Sequence, residues 1–178
     1  MRDLTKLPNK LDARKALVRA VIETPKGRRG KYDYDPKSGL FRLKTLLPDG
    51  LSFPLDFGFI PSTLCDDGDP QDIMVLVDEP NPVGALIEAR LIGVLEAEEV
   101  ENGKRERNDR LLAVAAVSHL YAKIDEAKDL EPTFLDNLTQ FWVNKGDLEG
   151  KTFRPLGFKG PQEAIKLVKQ ASAALEKA

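Results

Sequence analysis

The feature that most restricts how this chain can fold is the order of its local patterns. Short apolar, strand-like runs fill residues 16–117, and helical periodicity appears only beyond residue 120. Strands first and helices last point to an α+β architecture rather than to alternating βαβ units. Strand character is expected at 16–23, 31–35, 40–47, 73–77, 86–100 and 111–117. Turn signals lie between them: Pro25, Gly27 and Gly30, then residues 36–39 and 48–50. In 31–35 the pattern alternates, with Lys31, Asp33 and Asp35 on one face and Tyr32 and Tyr34 on the other. Residues 53–64 are rich in Pro and Gly and read as irregular packed chain, and 101–110 as a charged, hairpin-like insertion. A short helix is expected within 121–129, and a second over 132–145, where Phe134, Leu135, Leu138, Phe141 and Trp142 share helical spacing. The clearest helix is 160–178, with Pro161 near its start and an apolar stripe through Ile165, Val168 and Ala171. Five or six short strands in about 100 residues suggest a small antiparallel β-barrel with flanking C-terminal helices.

A length of 178 residues fits a single domain, 1–178, whose polar residues 1–15 form a loosely held arm. A chain of this size buries a core without disulfides, and its one cysteine, Cys65, excludes an intramolecular bridge and fits a reducing compartment. The single histidine, His119, excludes any site that needs two. With 27 basic against 29 acidic side chains the formal charge is −2, which argues against general nucleic-acid binding. No apolar run reaches the roughly 18 residues of a membrane span, and the N-terminus lacks the apolar centre of a signal peptide. The expected setting is the cytoplasm, with no membrane partner.

Two clusters carry the chemistry. Asp67-Gly68-Asp69-Pro70-Gln71-Asp72 crowds three carboxylates into six residues on a loop that Gly68 turns and Pro70 stiffens. Crowded carboxylates repel unless water or cations compensate, and clustered oxygen ligands suit a hard cation such as Mg²⁺. The plain alternative is a solvated acidic turn. The second cluster is basic: Lys26, Arg28, Arg29 and Lys31. It is either a solvated turn or an anion site. Basic groups for phosphate oxygens and carboxylates for metals are the two halves of a metal-assisted phosphoryl-transfer site. The acidic field beside Cys65 disfavours a thiolate, so a nucleophilic cysteine is not expected.

Read together and in order, Glu23, Lys31-Tyr32-Asp33, Ser38-Gly39, Phe53-Pro54, Phe57-Gly58-Phe59-Ile60-Pro61 and the Asp67–Asp72 run resemble soluble family I inorganic pyrophosphatase. The match spans about residues 16–117 and resumes at Asp147-Leu148-Glu149-Gly150-Lys151. The resemblance implies an OB-like barrel, bound Mg²⁺, pyrophosphate as substrate, hydrolysis to two phosphates, and a homo-oligomer, usually a hexamer in bacteria. It also implies residue roles. Asp67 and Asp72 match metal-bridging carboxylates, and Asp69 matches the group that helps deprotonate the attacking water. Glu23 matches a water-ordering carboxylate, Lys31 a phosphate-binding lysine, and Asp33 stands where the family has Glu.

The departures mark a divergent member. Phe53 and Phe57 replace two tyrosines, and Thr45 replaces an arginine, with Lys44 beside it as a substitute. Glu99 takes an aspartate position, and Asn108 a metal-holding one, unless a one-residue slip brings in Asp109. Arg110 replaces a phosphate-binding lysine, and a late Tyr-Lys pair becomes Asn144-Lys145 or Lys145-Gly146. The leading expectation is Mg²⁺-dependent pyrophosphate hydrolysis, with Lys31, Arg110 and Lys145 stabilising phosphate charge. Its rival is a protein of this fold that binds a phosphorylated ligand or partner with little turnover. If the metal reading holds, Asp67 and Asp72 face the same cavity as Asp33 and Glu99.

Overall fold

The computed structural model describes residues 3–178. Nine strands and two long helices follow one another as β1 (Leu17–Thr24), β2 (Gly30–Asp35), β3 (Leu40–Leu46), β4 (Asp56–Ile60), β5 (Gln71–Leu76), β6 (Leu86–Glu101), β7 (Lys104–Arg107), β8 (Arg110–Ala115), α1 (Pro132–Leu148), β9 (Thr152–Lys159) and α2 (Pro161–Lys177). Five strands close a ring: β1 pairs β4, β4 pairs β5, β5 pairs β8, β8 pairs β6, and β6 returns to β1. This is the expected OB-like barrel. Its one parallel pair is β5 with β8, all other pairings being antiparallel. β2 and β3 form a separate hairpin sheet.

β6 organises the rest. Its 16 residues pair with β1 and β8 over their first half and with β9 and β7 over their second. The β6–β7 hairpin turns on Asn102 (φ 51°) and Gly103 (φ 78°), the Asn-Gly combination that a tight hairpin turn favours. The charged insertion is therefore mostly strand.

β5 and β8 are buried on both faces, which explains their unbroken apolar runs. Ile73, Val75, Leu111 and Ala113 join one core with Ala164, Ile165 and Val168 of α2. Met74, Leu76, Leu112 and Val114 join the other with Leu138, Phe141 and Trp142 of α1. Each helix thus covers one set of alternating side chains.

Four local expectations change. Residues 53–64, read as irregular, contain β4, all five of whose residues are buried. β9 escapes sequence reading because Pro155 and Gly157 look like breakers; the strand pairs only with β6 and kinks where Glu96 gives way to Ala97. The helix expected within 121–129 is only a 3₁₀ turn at Ala127–Asp129, because the Asp129 carboxylate accepts from the backbone N–H groups of Asp125 and Glu126. The arm is docked over its described part: Asn9 O accepts from Arg19 N at 2.7 Å, and Thr5 O from Ser62 N at 2.7 Å. Residues 1 and 2 of the arm lie outside the described residues.

Gly58 is required by close approach. A Cβ there would lie 1.9 Å from the Val21 carbonyl oxygen, because β1 and β4 cross at a register shift. Neither backbone can yield without opening the ring. Gly58→Ala is expected to destabilise the fold by about 3 kcal/mol, checked by the midpoint shift in urea unfolding.

Candidate active site

The ring closure, the β2–β3 hairpin, the 66–72 loop and the end of α1 enclose a cleft of about 630 Å³. Eleven of the residues singled out from the sequence line it: Glu23, Lys31, Asp33, Lys44, Asp67, Asp69, Asp72, Glu99, Asn108, Arg110 and Lys145; of the basic cluster only Lys31 does, whereas Lys26, Arg28 and Arg29 lie outside it and Arg29 pairs with Asp49. β1 carries Glu23 as its penultimate residue, β2 carries Lys31 and Asp33, and β3 carries Lys44. Asp72 lies near the start of β5, Glu99 on β6, Arg110 at the first position of β8, and Lys145 on the last turn of α1.

The acidic residues stand in distinct environments. Burial pushes the Glu23 carboxyl up to about 8, against the hydrogen bond it accepts from Tyr34 N at 2.7 Å. Burial also raises Asp67 and Asp72, opposed at Asp72 by the guanidinium of Arg110 at 2.5 Å. At Asp33 burial is outweighed by Lys31 and Lys44, and its carboxyl falls below the usual range. Glu99 is also lowered: burial is overcome by Lys151, whose Nζ lies 2.8 Å from it. Asp67 Oδ1 accepts from Asp69 N at 3.0 Å and shapes the loop, while the Asp69 side chain makes no hydrogen bond among the described residues.

The expectation of a shared cavity holds, because Asp33, Asp67, Asp72 and Glu99 line the same cleft. Yet among the described residues no three His, Cys, Asp or Glu side chains stand together as a ready-made ligand set. Asp33, Asp72 and Glu99 each turn to a cationic side chain instead. The donor set still fits a hard divalent cation: it consists of oxygen ligands, and neither Cys65 nor His119 lines the cleft.

The cations are seated on aromatic rings. The Arg110 guanidinium lies 4.3 Å from the Trp142 ring centroid, with Phe153 at 5.6 Å and Phe57 at 5.9 Å. Lys145 lies 5.8 Å from Trp142 and is clamped by Glu149 at 2.7 and 2.8 Å; burial lowers its pKa against that pairing. Lys31 sits 6.0 Å from the Phe57 ring.

The structure separates two alternatives left open by the sequence. Asn108 lines the cleft, whereas Asp109 lines a neighbouring cavity, accepts from Ala97 N at 3.0 Å and pairs with Arg107. Lys145, common to both pairings offered for the late Tyr-Lys pair, enters the cleft, while exposed Asn144 accepts from Gln140. The two phenylalanines that the resemblance sets at tyrosine positions both belong to the α1 core, and Phe57 also reaches the cleft. Sequence reasoning missed Trp142, which reads as ordinary helix core, and the outer residues Lys151, Glu149 and Arg107. For Lys151 and Glu149 a signal was present, since both fall in the 147–151 run that carries the late part of the resemblance.

The model of the inorganic pyrophosphatase family matches residues 20–176. Inorganic pyrophosphatase from Synechocystis sp. is 36% identical over 168 residues, covering 94% of this chain and 96% of that one. The Nostoc sp. inorganic pyrophosphatase is 34% identical, covering 95% and 96%. Among solved structures, inorganic pyrophosphatase from Thermus thermophilus superposes with a TM-score of 0.90 at 30% identity, covering 98% of this chain and 99% of that one. That of Helicobacter pylori gives 0.87 at 31% identity, covering 96% and 99%. With its family match spanning most of the sequence and its site residues gathered in one cleft, the chain belongs to the inorganic pyrophosphatase family.

Proposed function

We propose that the protein hydrolyses inorganic pyrophosphate to two phosphates with Mg²⁺ as its cation. The observation that carries this reading is the union, in one cleft, of oxygen donors for a hard cation and cationic side chains for phosphate. Asp33, Asp67, Asp72 and Glu99 are the carboxylates available to hold Mg²⁺. When bound, such a cation neutralises phosphate charge and makes water acidic enough to react near neutral pH. Asp69, whose side chain is free of hydrogen bonds among the described residues, receives the proton of the attacking water at its carboxylate. Glu23, held by Tyr34 N, orders water beside it. Lys31, Lys44, Arg110 and Lys145 bind the phosphate oxygens and stabilise charge on the departing phosphate. The aromatic wall of Phe57 and Trp142 limits hydration on their side of the cleft, which strengthens those charge contacts. The reading takes residues 1–178 as one domain in a cytoplasmic homohexamer.

A second reading, binding of a phosphorylated ligand with little turnover, is favoured by one observation. Phe57 presents a ring without a hydroxyl to the cleft. Phosphate release from pyrophosphate decides between the two.

With Mg²⁺ the protein is expected to release phosphate from pyrophosphate, with EDTA to release none, and with added excess Mg²⁺ to recover. Binding of methylenediphosphonate without release in the presence of Mg²⁺ selects the second reading. Asp69→Asn keeps the side-chain shape and removes the base. It is expected to lower kcat by about 10²–10⁴-fold, while the Kd for methylenediphosphonate moves less than about threefold. Equal loss in both would make Asp69 a binding residue. Light scattering at micromolar protein is expected to give the mass of a hexamer, and a monomer there rejects that assembly.

A further inference from the structure

Asn108 precedes β8 by two residues, at the position to which the resemblance gives a metal-holding aspartate. Its amide is used at both ends. Oδ1 accepts from Nη1 of Arg110, and Nδ2 donates to Oε2 of Glu99 at 3.3 Å. A guanidinium offers no acceptor and a carboxylate no donor, so one orientation of the amide satisfies both neighbours. An aspartate here would keep the contact to Arg110 but meet Glu99 charge to charge.

Arg110 depends on that amide. Both of its hydrogen bonds run through Nη1, one to Asp72 at 2.5 Å and one to Asn108. Nε is buried with no partner. Nη2 makes no hydrogen bond among the described residues and, unlike Nε, is not fully buried, on a residue that lines the cleft. The rings of Trp142, Phe57 and Phe153 bound the guanidinium but do not fix its rotation within its own plane. Two acceptors on one nitrogen do fix it, and they leave Nη2 as the end free to meet an anion.

We propose that Asn108 is a positioning residue which aims Arg110 at the substrate phosphate through an amide bridge from Glu99, rather than a metal ligand. The inference rests on the pyrophosphatase reading for the identity of the anion.

The test is a double-variant cycle of Asn108→Ala and Arg110→Lys in the full chain. Three quantities are read: the Kd for methylenediphosphonate with Mg²⁺ present, the Mg²⁺ affinity by calorimetry, and the emission of Trp142, the single tryptophan. Asn108→Ala is expected to weaken methylenediphosphonate binding about tenfold, as loss of a charge-assisted hydrogen bond does. It should shift Trp142 emission and leave Mg²⁺ affinity within about twofold, since the metal carboxylates are untouched. In the Arg110→Lys background the same change should cost less than about twofold, because the two residues act as one unit. Asn108→Asp keeps the side-chain shape and serves if the alanine variant does not fold; its Mg²⁺ affinity should stay within about threefold of wild type. Multiplicative losses in the cycle, or an Asn108→Asp protein that binds Mg²⁺ about tenfold more tightly with Trp142 emission unmoved, overturn the proposal and make residue 108 a metal position. None of the three readouts needs turnover. A wild type that binds methylenediphosphonate but releases no phosphate therefore fails the hydrolytic reading, and the cycle still decides the role of Asn108.

Discussion

The contact on which the cleft depends is that of Arg110 with Asp72 and the ring of Trp142. It joins the two parts of the molecule that have opposite solvent requirements. Trp142 belongs to the core that α1 builds over the barrel, and its Nε1 donates to Met74 Sδ at 3.1 Å. Asp72 belongs to the acidic loop and cleft. A guanidinium between them is weakly hydrated and flat, so it can give up water on its faces to aromatic rings and keep its edge for oxygen acceptors. A lysine ammonium, compact and strongly hydrated, would lose more on entering the same seat. Arg110 is the buried partner of this pair and Asp72 the partly exposed one, so removing Asp72 leaves a buried charge without compensation.

The backbone supplies this contact through β6 and β8. β8 lies between β5 and β6, parallel to one and antiparallel to the other, so Arg110 at its start is held close to the Asp72 end of β5. The second half of β6 runs on past the ring, and pairing with β9 brings Phe153 opposite Glu99. Phe153 then adds a further ring beside Arg110, and Lys151 reaches Glu99 from the start of the same segment. A single long strand thereby positions an acid, its counter-ion and one wall of the arginine seat.

Much of this can be read from the sequence where a residue's role is local. The acidic run at 66–72 and the apolar runs of β5 and β8 follow from short-range chemistry and appear in the structure as expected, whereas the alternation over 31–35 is only partly kept: Lys31 and Asp33 share the cleft, but Tyr34 joins them and Asp35 does not, the register shifting after Lys31. What cannot be read is set by pairing across the chain. β4 and β9 carry Pro, Gly or polar residues that look like breaks until a partner strand is present. Trp142 has helical spacing and belongs to the core, so nothing local distinguishes a ring that also carries a cation. The choice between Asn108 and Asp109 turns on a single residue of register in the β6–β7 hairpin, and there the Ala97 N–H and Arg107 hold Asp109 away from the cleft.

Around that seat, several positions at which the resemblance implies a different residue form one arrangement rather than scattered losses. Phe57, in place of a tyrosine, leaves an apolar wall with no hydroxyl to compete for the guanidinium. Arg110, in place of a lysine, is the cation best able to use such a wall. Asn108, in place of an aspartate, keeps an acceptor for that arginine and removes a negative charge that would face Glu99. Lys145, also close to Trp142, is balanced by Glu149 at the C-terminal end of α1, an acid at the outer part of the cleft. Besides their carboxylate partners, Arg110, Lys145 and Lys31 thus lie against aromatic faces. Such support is broad and tolerant of angle, so the remaining hydrogen bonds must supply the direction. That division of labour gives the amide of Asn108 more influence over the geometry of the site than its neutral charge suggests.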